Sequence, residues 1–286
     1  MTAFNDRSAA AQPRGIAYNR VPRVTVDFWL VKLLAVTVGE TAADFLSDNL
    51  GLGLSNTSLL MSAVLIAALI WQFAQKRYVP MVYWIAVVLV SIVGTLISDN
   101  LVDNLGITLE TTTVAFGLAL AVTFAAWYAV EHTLSIHTIF TTRREAFYWL
   151  AILFTFALGT SAGDLAAEGL GLGYLQAGLM YGALIAAVAI GYYGFRLDGI
   201  LAFWIAYILT RPLGASFGDL LSQAKADGGL GFGTVVTSGL FLLGIAGTIV
   251  YMTRSHDGEE KAAEAMEQKP SARAAGETVP VPARDN

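Results

Sequence analysis

Four aspartates, Asp44, Asp99, Asp164 and Asp219, each stand five residues after a glycine, in the stretches GETAAD, GTLISD, GTSAGD and GASFGD. A second acid follows one helical turn later in three copies: Asp48, Asp103 and Glu168. In the fourth that position is Gln223. The first copy adds Glu40, so Glu40, Asp44 and Asp48 recur every four residues and share one face of a helix. All of these acids lie in or at the end of apolar runs such as FWLVKLLAVTVGETAADFLSDN, residues 28 to 49. A carboxylate near the centre of a bilayer costs ~2.5–3.5 kcal/mol on insertion scales, and less near the boundary. The C-terminal end of a helix disfavours it further. A bound cation would offset both costs. Asp, Glu, Asn, Thr and backbone oxygens are hard donors suited to Mg²⁺, Ca²⁺ or Mn²⁺. The chain has no cysteine, and no histidine falls near this layer. His132 and His137 read as an ordinary interfacial pair. Asp44, Asp99, Asp164 and Asp219 are therefore the candidate metal ligands, with Glu40, Asp48, Asp103 and Glu168 as further cation- or proton-binding acids. Clustered carboxylates do not all ionise together. Such a cluster can exchange protons for a metal ion, which is antiporter chemistry.

The elements that carry these acids follow from composition. Of 286 residues, 56% are hydrophobic and 14% charged, with positive mean hydropathy, which marks an all-α polytopic membrane protein. Eight apolar segments near 27–48, 55–75, 80–102, 110–131, 146–167, 173–194, 199–222 and 232–253 each match the ~20 residues that span a bilayer. Lys and Arg set their direction. Arg14, Arg20 and Arg23, then Lys76 and Arg77, Arg143 and Arg144, Arg196, and Arg254 occupy one side, and the alternate loops carry only Lys225. The asymmetry predicts cytoplasmic N- and C-termini. Residues 1–26 form a cytoplasmic N-terminal segment without a cleavable signal pattern, and 27–253 the membrane domain. Residues 254–286, rich in Ala, Glu and Pro, form a disordered cytoplasmic tail. No basic surface for nucleic acid exists, and the partners expected are membrane lipid and the transported cation or proton. A homo-oligomer is left open.

Trp29, Trp84, Trp149 and Trp204 each precede by ten residues a glycine, Gly39, Gly94, Gly159 and Gly214, that in turn precedes a ring aspartate. The unit is a helical hairpin present four times, near 27–79, 80–145, 146–198 and 199–253. Having two spans each, all four copies enter the membrane in the same direction, which permits an axis along the membrane normal and puts the aspartates at one depth. Ala43, Ser98, Gly163 and Gly218 complete small-xxx-small patterns that let helices approach closely, so the four glycines are helix-packing positions. Gly51, Gly106, Gly171 and, after a three-residue insertion, Gly229 open the turn into each second helix. The tryptophans read as an interfacial belt. This pattern resembles a bacterial integral membrane protein family of unknown function, built from four tandem repeats, each with two transmembrane segments and a characteristic tryptophan. The resemblance covers residues 27–253, supports the topology and a bacterial inner membrane location, and implies no activity.

Two copies carry extra charge. Lys32 in the first reads as a snorkelling side chain. Arg211 in the fourth lies eight residues before Asp219, too far along the axis to pair easily with its own aspartate, and reads as reaching an acid of another copy. It would stand in for the cation when the site is empty. Pro212 favours a kink or a broken helix. Together Arg211, Pro212 and Lys32 are candidate gating or charge-pair residues. The function expected is a secondary transporter of a divalent hard cation, coupled to protons. One alternative is a transporter of a small organic solute, lined by Tyr174, Tyr181, Phe217 and Phe232 and using a carboxylate proton relay. Another is a non-transporting membrane scaffold or stress protein. No nucleophile elbow, metalloprotease helix or phosphate loop indicates an enzyme, and no cofactor is expected beyond the metal ion as substrate.

Overall fold

A computed structural model describes residues 19–267. The described residues fold as eight long helices joined by short turns: α1 (Val26–Asp44), α2 (Leu54–Ala74), α3 (Pro80–Asp99), α4 (Leu109–Glu131), α5 (Thr142–Asp164), α6 (Tyr174–Phe195), α7 (Gly199–Ser222) and α8 (Thr234–Glu267). Local chemistry marks the starts. The side chains of Thr25, Thr141 and Asp198 accept backbone N–H bonds at the first turns of α1, α5 and α7, and Pro80 opens α3 where its missing N–H is harmless. Immediately after Asp44, Asp99 and Asp164 the chain widens into one π-helical turn, at Phe45–Asn49, Asn100–Asn104 and Leu165–Gly169. The fourth copy lacks it, and α7 continues as α-helix past Asp219.

Four glycines organise the packing. A side chain at Gly39 would collide with Ser91, at Gly94 with Phe156, at Gly159 with Arg211, and at Gly214 with Val36. Each glycine thus receives the residue three positions before the glycine of the next copy, and the fourth receives it from the first. The contacts close a ring in which α1 packs on α3, α3 on α5, α5 on α7 and α7 on α1. The four copies therefore surround one centre. The second helix of each copy lies mainly on the first helix of the next: α2 on α3, α4 on α5, α6 on α7, and α8 back on α1. Burial separates the layers. Between 50% and 72% of the apolar span is buried in α3, α5 and α7, against 11–22% in α2, α4, α6 and α8. The outer helices expose leucine, isoleucine, valine and phenylalanine, as in Leu59, Ile66, Leu118, Leu179, Phe195 and Leu243.

Seven helices, α2 to α8, are long and apolar enough to cross a membrane, with α8 contributing Thr234–Tyr251. The remaining helix, α1, carries Asp27, Lys32, Glu40 and Asp44. Three expectations change. Beyond Tyr251, α8 stays helical to Glu267, so helix replaces the disordered start expected for the tail, whose residues 268–286 lie outside those described, as do residues 1–18. In the fourth copy the turn glycine equivalent to Gly51, Gly106 and Gly171 is Gly231, not Gly229. Each of these four has positive φ and stands three residues before the next helix, so the insertion is longer than the spacing suggests. Finally, α7 runs on as helix through Pro212 without a break.

Candidate functional site

The ring of inner helices brings equivalent positions to its axis. The residue after each packing glycine is Glu40, Thr95, Thr160 or Ala215. Arg211 reaches into this level from α7 and is fully buried. Its NH2 group lies 2.6 Å from Glu40 Oε2, donates to Thr160 Oγ1 at 2.7 Å, and also donates to Thr95 Oγ1. Thr95 in turn donates to Glu40 Oε2 at 3.1 Å. Three copies thus hold one guanidinium from the fourth. Among the described residues its Nε and NH1 have no hydrogen-bond partner.

One turn toward the Asp end, the acids converge. Carboxylate oxygens of Glu40, Asp164 and Asp219 lie within 4.8 Å of one another. Two ligands on opposite sides of a calcium-sized ion lie about 4.6–5.2 Å apart, so this spacing admits one hard cation. Glu40 is a charged neighbour of all four ring aspartates, Asp44, Asp99, Asp164 and Asp219. Glu40 and Asp219 are buried, and the other three are half-buried. Among the described residues no group donates a hydrogen bond to the carboxylates of Asp99, Asp164 or Asp219. Asp44 receives one weak contact, from Gln223 Nε2 at 3.5 Å. Five acids therefore face one guanidinium. Hydroxyls line the same level, with Ser98 and Ser161 bonded at 2.8 Å and Ser216 buried without a partner.

Beyond the ring, Asp48, Asp103 and Glu168 are exposed at the mouth. Glu168 accepts from the Tyr174 hydroxyl at 3.0 Å. Asp48 and Glu168 add to the field on Asp44, and Asp103 to that on Asp99. The end with the tryptophans is closed. Phe28, Tyr83, Tyr148 and Phe203, each the residue before a repeat tryptophan, are buried together, and the Tyr83 and Tyr148 hydroxyls bond at 2.5 Å. Trp84, Trp149 and Trp204 are buried among them, and Trp29 is half-buried. The tryptophans thus form a floor inside the ring, not a belt facing lipid. Asn19 and Arg20 strap across that end, bonding the α4–α5 loop at Ile136 and Ile139 and the α2–α3 loop at Tyr78.

Lys32 departs most from expectation. It does not snorkel but is fully buried between ring and floor. Its ammonium bonds the Tyr207 carbonyl at 3.0 Å and Thr210 Oγ1, and lies 3.9 Å from the centre of the Tyr207 ring. The helix turn that leads to the tryptophan end is occupied by aromatic rings, so the side chain has no wet exit. Of the aromatics expected to line a pocket for an organic solute, Tyr174 bonds Glu168 at the mouth. Phe217 and Phe232 are exposed, and the Tyr181 hydroxyl is tied to the Ala162 carbonyl at 2.6 Å. Sequence reading missed Thr95, Thr160, Thr210 and Tyr207. Aligning the copies on their glycines would have shown the first two as the counterparts of Glu40.

The family described as Repeat of Unknown Function (DUF347) matches residues 28–78, 82–133, 147–197 and 202–257, and the chain belongs to it. The four matched stretches are the four copies of the ring. No curated protein and no solved structure matches the chain.

Proposed function

We propose that the protein is a secondary transporter of a divalent hard cation of the Mn²⁺, Mg²⁺ or Ca²⁺ type, coupled to protons, in a bacterial inner membrane. In this reading all eight helices span the bilayer, α1 included, because the ring shields its charges. Both chain ends face the cytoplasm, as the distribution of Lys and Arg supports. The four repeats share one direction, and the exposed acids Asp48, Asp103 and Glu168 draw cations to the outer mouth.

The observation that carries the reading is the gathering of Glu40, Asp164 and Asp219 oxygens within 4.8 Å, on a pseudo-fourfold axis, where the one cation at bonding distance among the described residues is Arg211, and it bonds Glu40 alone. Buried charge without partners is costly. A divalent ion would supply the missing counter-charge, and Arg211 holds part of that place without it. The carboxylates of Asp44 and Asp99 complete the oxygen set. A structural role alone is favoured by one observation, the Arg211–Glu40 pair locked by Thr95 and Thr160. That pair leaves Asp99, Asp164 and Asp219 without donors, which a scaffold has no reason to tolerate.

The test is Mn²⁺ uptake into proteoliposomes, with wild type beside Asp164→Asn and Asp219→Asn. Uptake lost in both variants, with each still folded by size-exclusion chromatography, supports the reading. Uptake at the wild-type rate in both overturns it.

A further inference from the structure

We propose that Ser222 is a ligand of the transported cation, a neutral oxygen that completes the carboxylate set of Glu40, Asp164 and Asp219 on its mouth side. The proposal rests on the cation-transport reading above and names a residue that reading does not use.

Ser222 is 6% exposed, and among the described residues its hydroxyl has no hydrogen-bond partner. A buried hydroxyl left unpaired costs free energy, so what it faces matters. Its bearing on α7 answers that. Gly214 and Gly218 lie against Val36, Thr37 and Glu40 of α1, whereas Pro212 and Ala215 lie against Gly159 and Gly163 of α5. The arc of α7 between those two sides looks into the ring axis. Arg211 stands in that arc, bonded to Glu40 of α1 and Thr160 of α5. At about 100° per residue, Ser222 is turned only ~20° from Arg211 once whole turns are removed, which puts it in the same arc. It also follows Asp219 by three residues, ~4.5 Å along the axis, where helix side chains are neighbours. The hydroxyl therefore sits over the acid cluster, on the side of the mouth.

The fourth copy alone presents an oxygen this way. The position eight residues after the packing glycine is Ser47, Val102 and Ala167 in the other copies. Ser47 donates to the Asp44 carbonyl at 3.4 Å, and valine and alanine bring no oxygen. All three lie in π-helical turns, whereas α7 stays α-helical to Ser222. The longer fourth turn folds back and holds that end. The N–H groups of Leu230, Phe232 and Gly231 donate to the carbonyls of Leu220, Leu221 and Gln223 at 2.6, 2.9 and 2.9 Å. In this copy Gln223 also replaces the outer acid, so its contribution at this level is neutral. On binding, the Ser222 hydroxyl keeps its proton and turns a lone pair to the ion, taking the place of one water. It is a hard donor, suited to Mn²⁺ and Ca²⁺, and sulfur at the same point would favour softer ions.

The experiment uses the purified full chain in detergent, with Mn²⁺ and Cd²⁺ as probes, followed by thermal unfolding in chelator and across each metal titration. Ser222→Ala is expected to be at least as stable as wild type in chelator, because it removes a polar atom that has no partner. It is expected to bind Mn²⁺ about tenfold more weakly, comparable with losing one hydrogen bond to a charged group. Ser222→Cys adds the one thiol to a chain without cysteine and is nearly isosteric, so it decides the case should the alanine variant not fold. It is expected to lose affinity for Mn²⁺ and gain affinity for Cd²⁺. A merely structural hydroxyl gives the opposite pattern, an alanine variant less stable in chelator with unchanged Mn²⁺ affinity. That pattern, or a Ser222→Cys variant whose preference between Cd²⁺ and Mn²⁺ equals that of wild type, overturns the assignment and leaves the transport reading standing. Wild type that binds no Mn²⁺ overturns both.

Discussion

Replacing Arg211 by Met isolates what the guanidinium does. The Cβ and Cγ of Arg211 fill the space left by Gly159, and methionine keeps both atoms, so the ring contact survives. What goes is the cation bonded to Glu40, Thr95 and Thr160. Glu40 is left buried beside Asp164 and Asp219 with a single hydroxyl donor, Thr95. Removing one partner of a buried ion pair costs about 3–5 kcal/mol. At about 2–4 °C per kcal/mol for a chain of this size, the apparent Tm in chelator falls by roughly 6–20 °C. The same change vacates the axis for a metal ion. A cation at about 100 times its Kd returns about 2.7 kcal/mol. The variant is therefore expected to be less stable than wild type in chelator and to gain more from added Ca²⁺ or Mn²⁺. Thermal unfolding in detergent, followed by tryptophan fluorescence across a metal titration, reads both effects. A variant as stable as wild type in chelator, or one indifferent to metal, refutes the argument that Arg211 holds the place of an ion.

Other consequences are open to measurement. Gly94→Val forces a branched side chain into Phe156 across the α3–α5 contact and is expected to abolish folded protein in a membrane-expression assay. Gly117→Ala, with its nearest neighbour 3.9 Å away, should express normally. Trp84→Ala, in the buried floor, should cost about 3–5 kcal/mol in thermal unfolding, and Trp29→Ala visibly less. Neutralising Asp48, Asp103 and Glu168 together is expected to slow Mn²⁺ uptake at low ionic strength and to matter little at high salt, since exposed charges act through a screened field.

Much of the scaffold was legible because a spacing was copied four times. Trp-x9-Gly-x4-Asp fixes which residues are equivalent, and equivalence around one centre brings the aspartates to a common level. Neighbour choice was not legible. That α2 lies on α3 and not mainly on α1 depends on the path of short turns, which no apolar pattern encodes. The tryptophans were misplaced because a helix end near a membrane boundary looks the same from either side in a sequence. The inward face of the ring was visible only once Tyr83 and Tyr148 met. Lys32 was misread for a related reason, since counting residues to the nearest boundary ignores the rings that block the way. Glu40 looked like a peculiarity of the first copy, and it proves to be the charged centre to which all four aspartates couple.

Closure of the ring by its last helices has a consequence for biosynthesis. The groups that receive Lys32 and Glu40 lie 171 to 178 positions later in the chain, at Tyr207, Thr210 and Arg211, and the helix that shields α1, α8, comes last of all. In the proposed topology α1 enters the membrane with its charges uncovered, and two further hairpins are made before α7 brings Arg211 and the groups that receive Lys32. A chain stopped short of the fourth hairpin displays an unsheltered lysine and glutamate, a ready mark by which membrane quality control can tell an unfinished copy from a complete one.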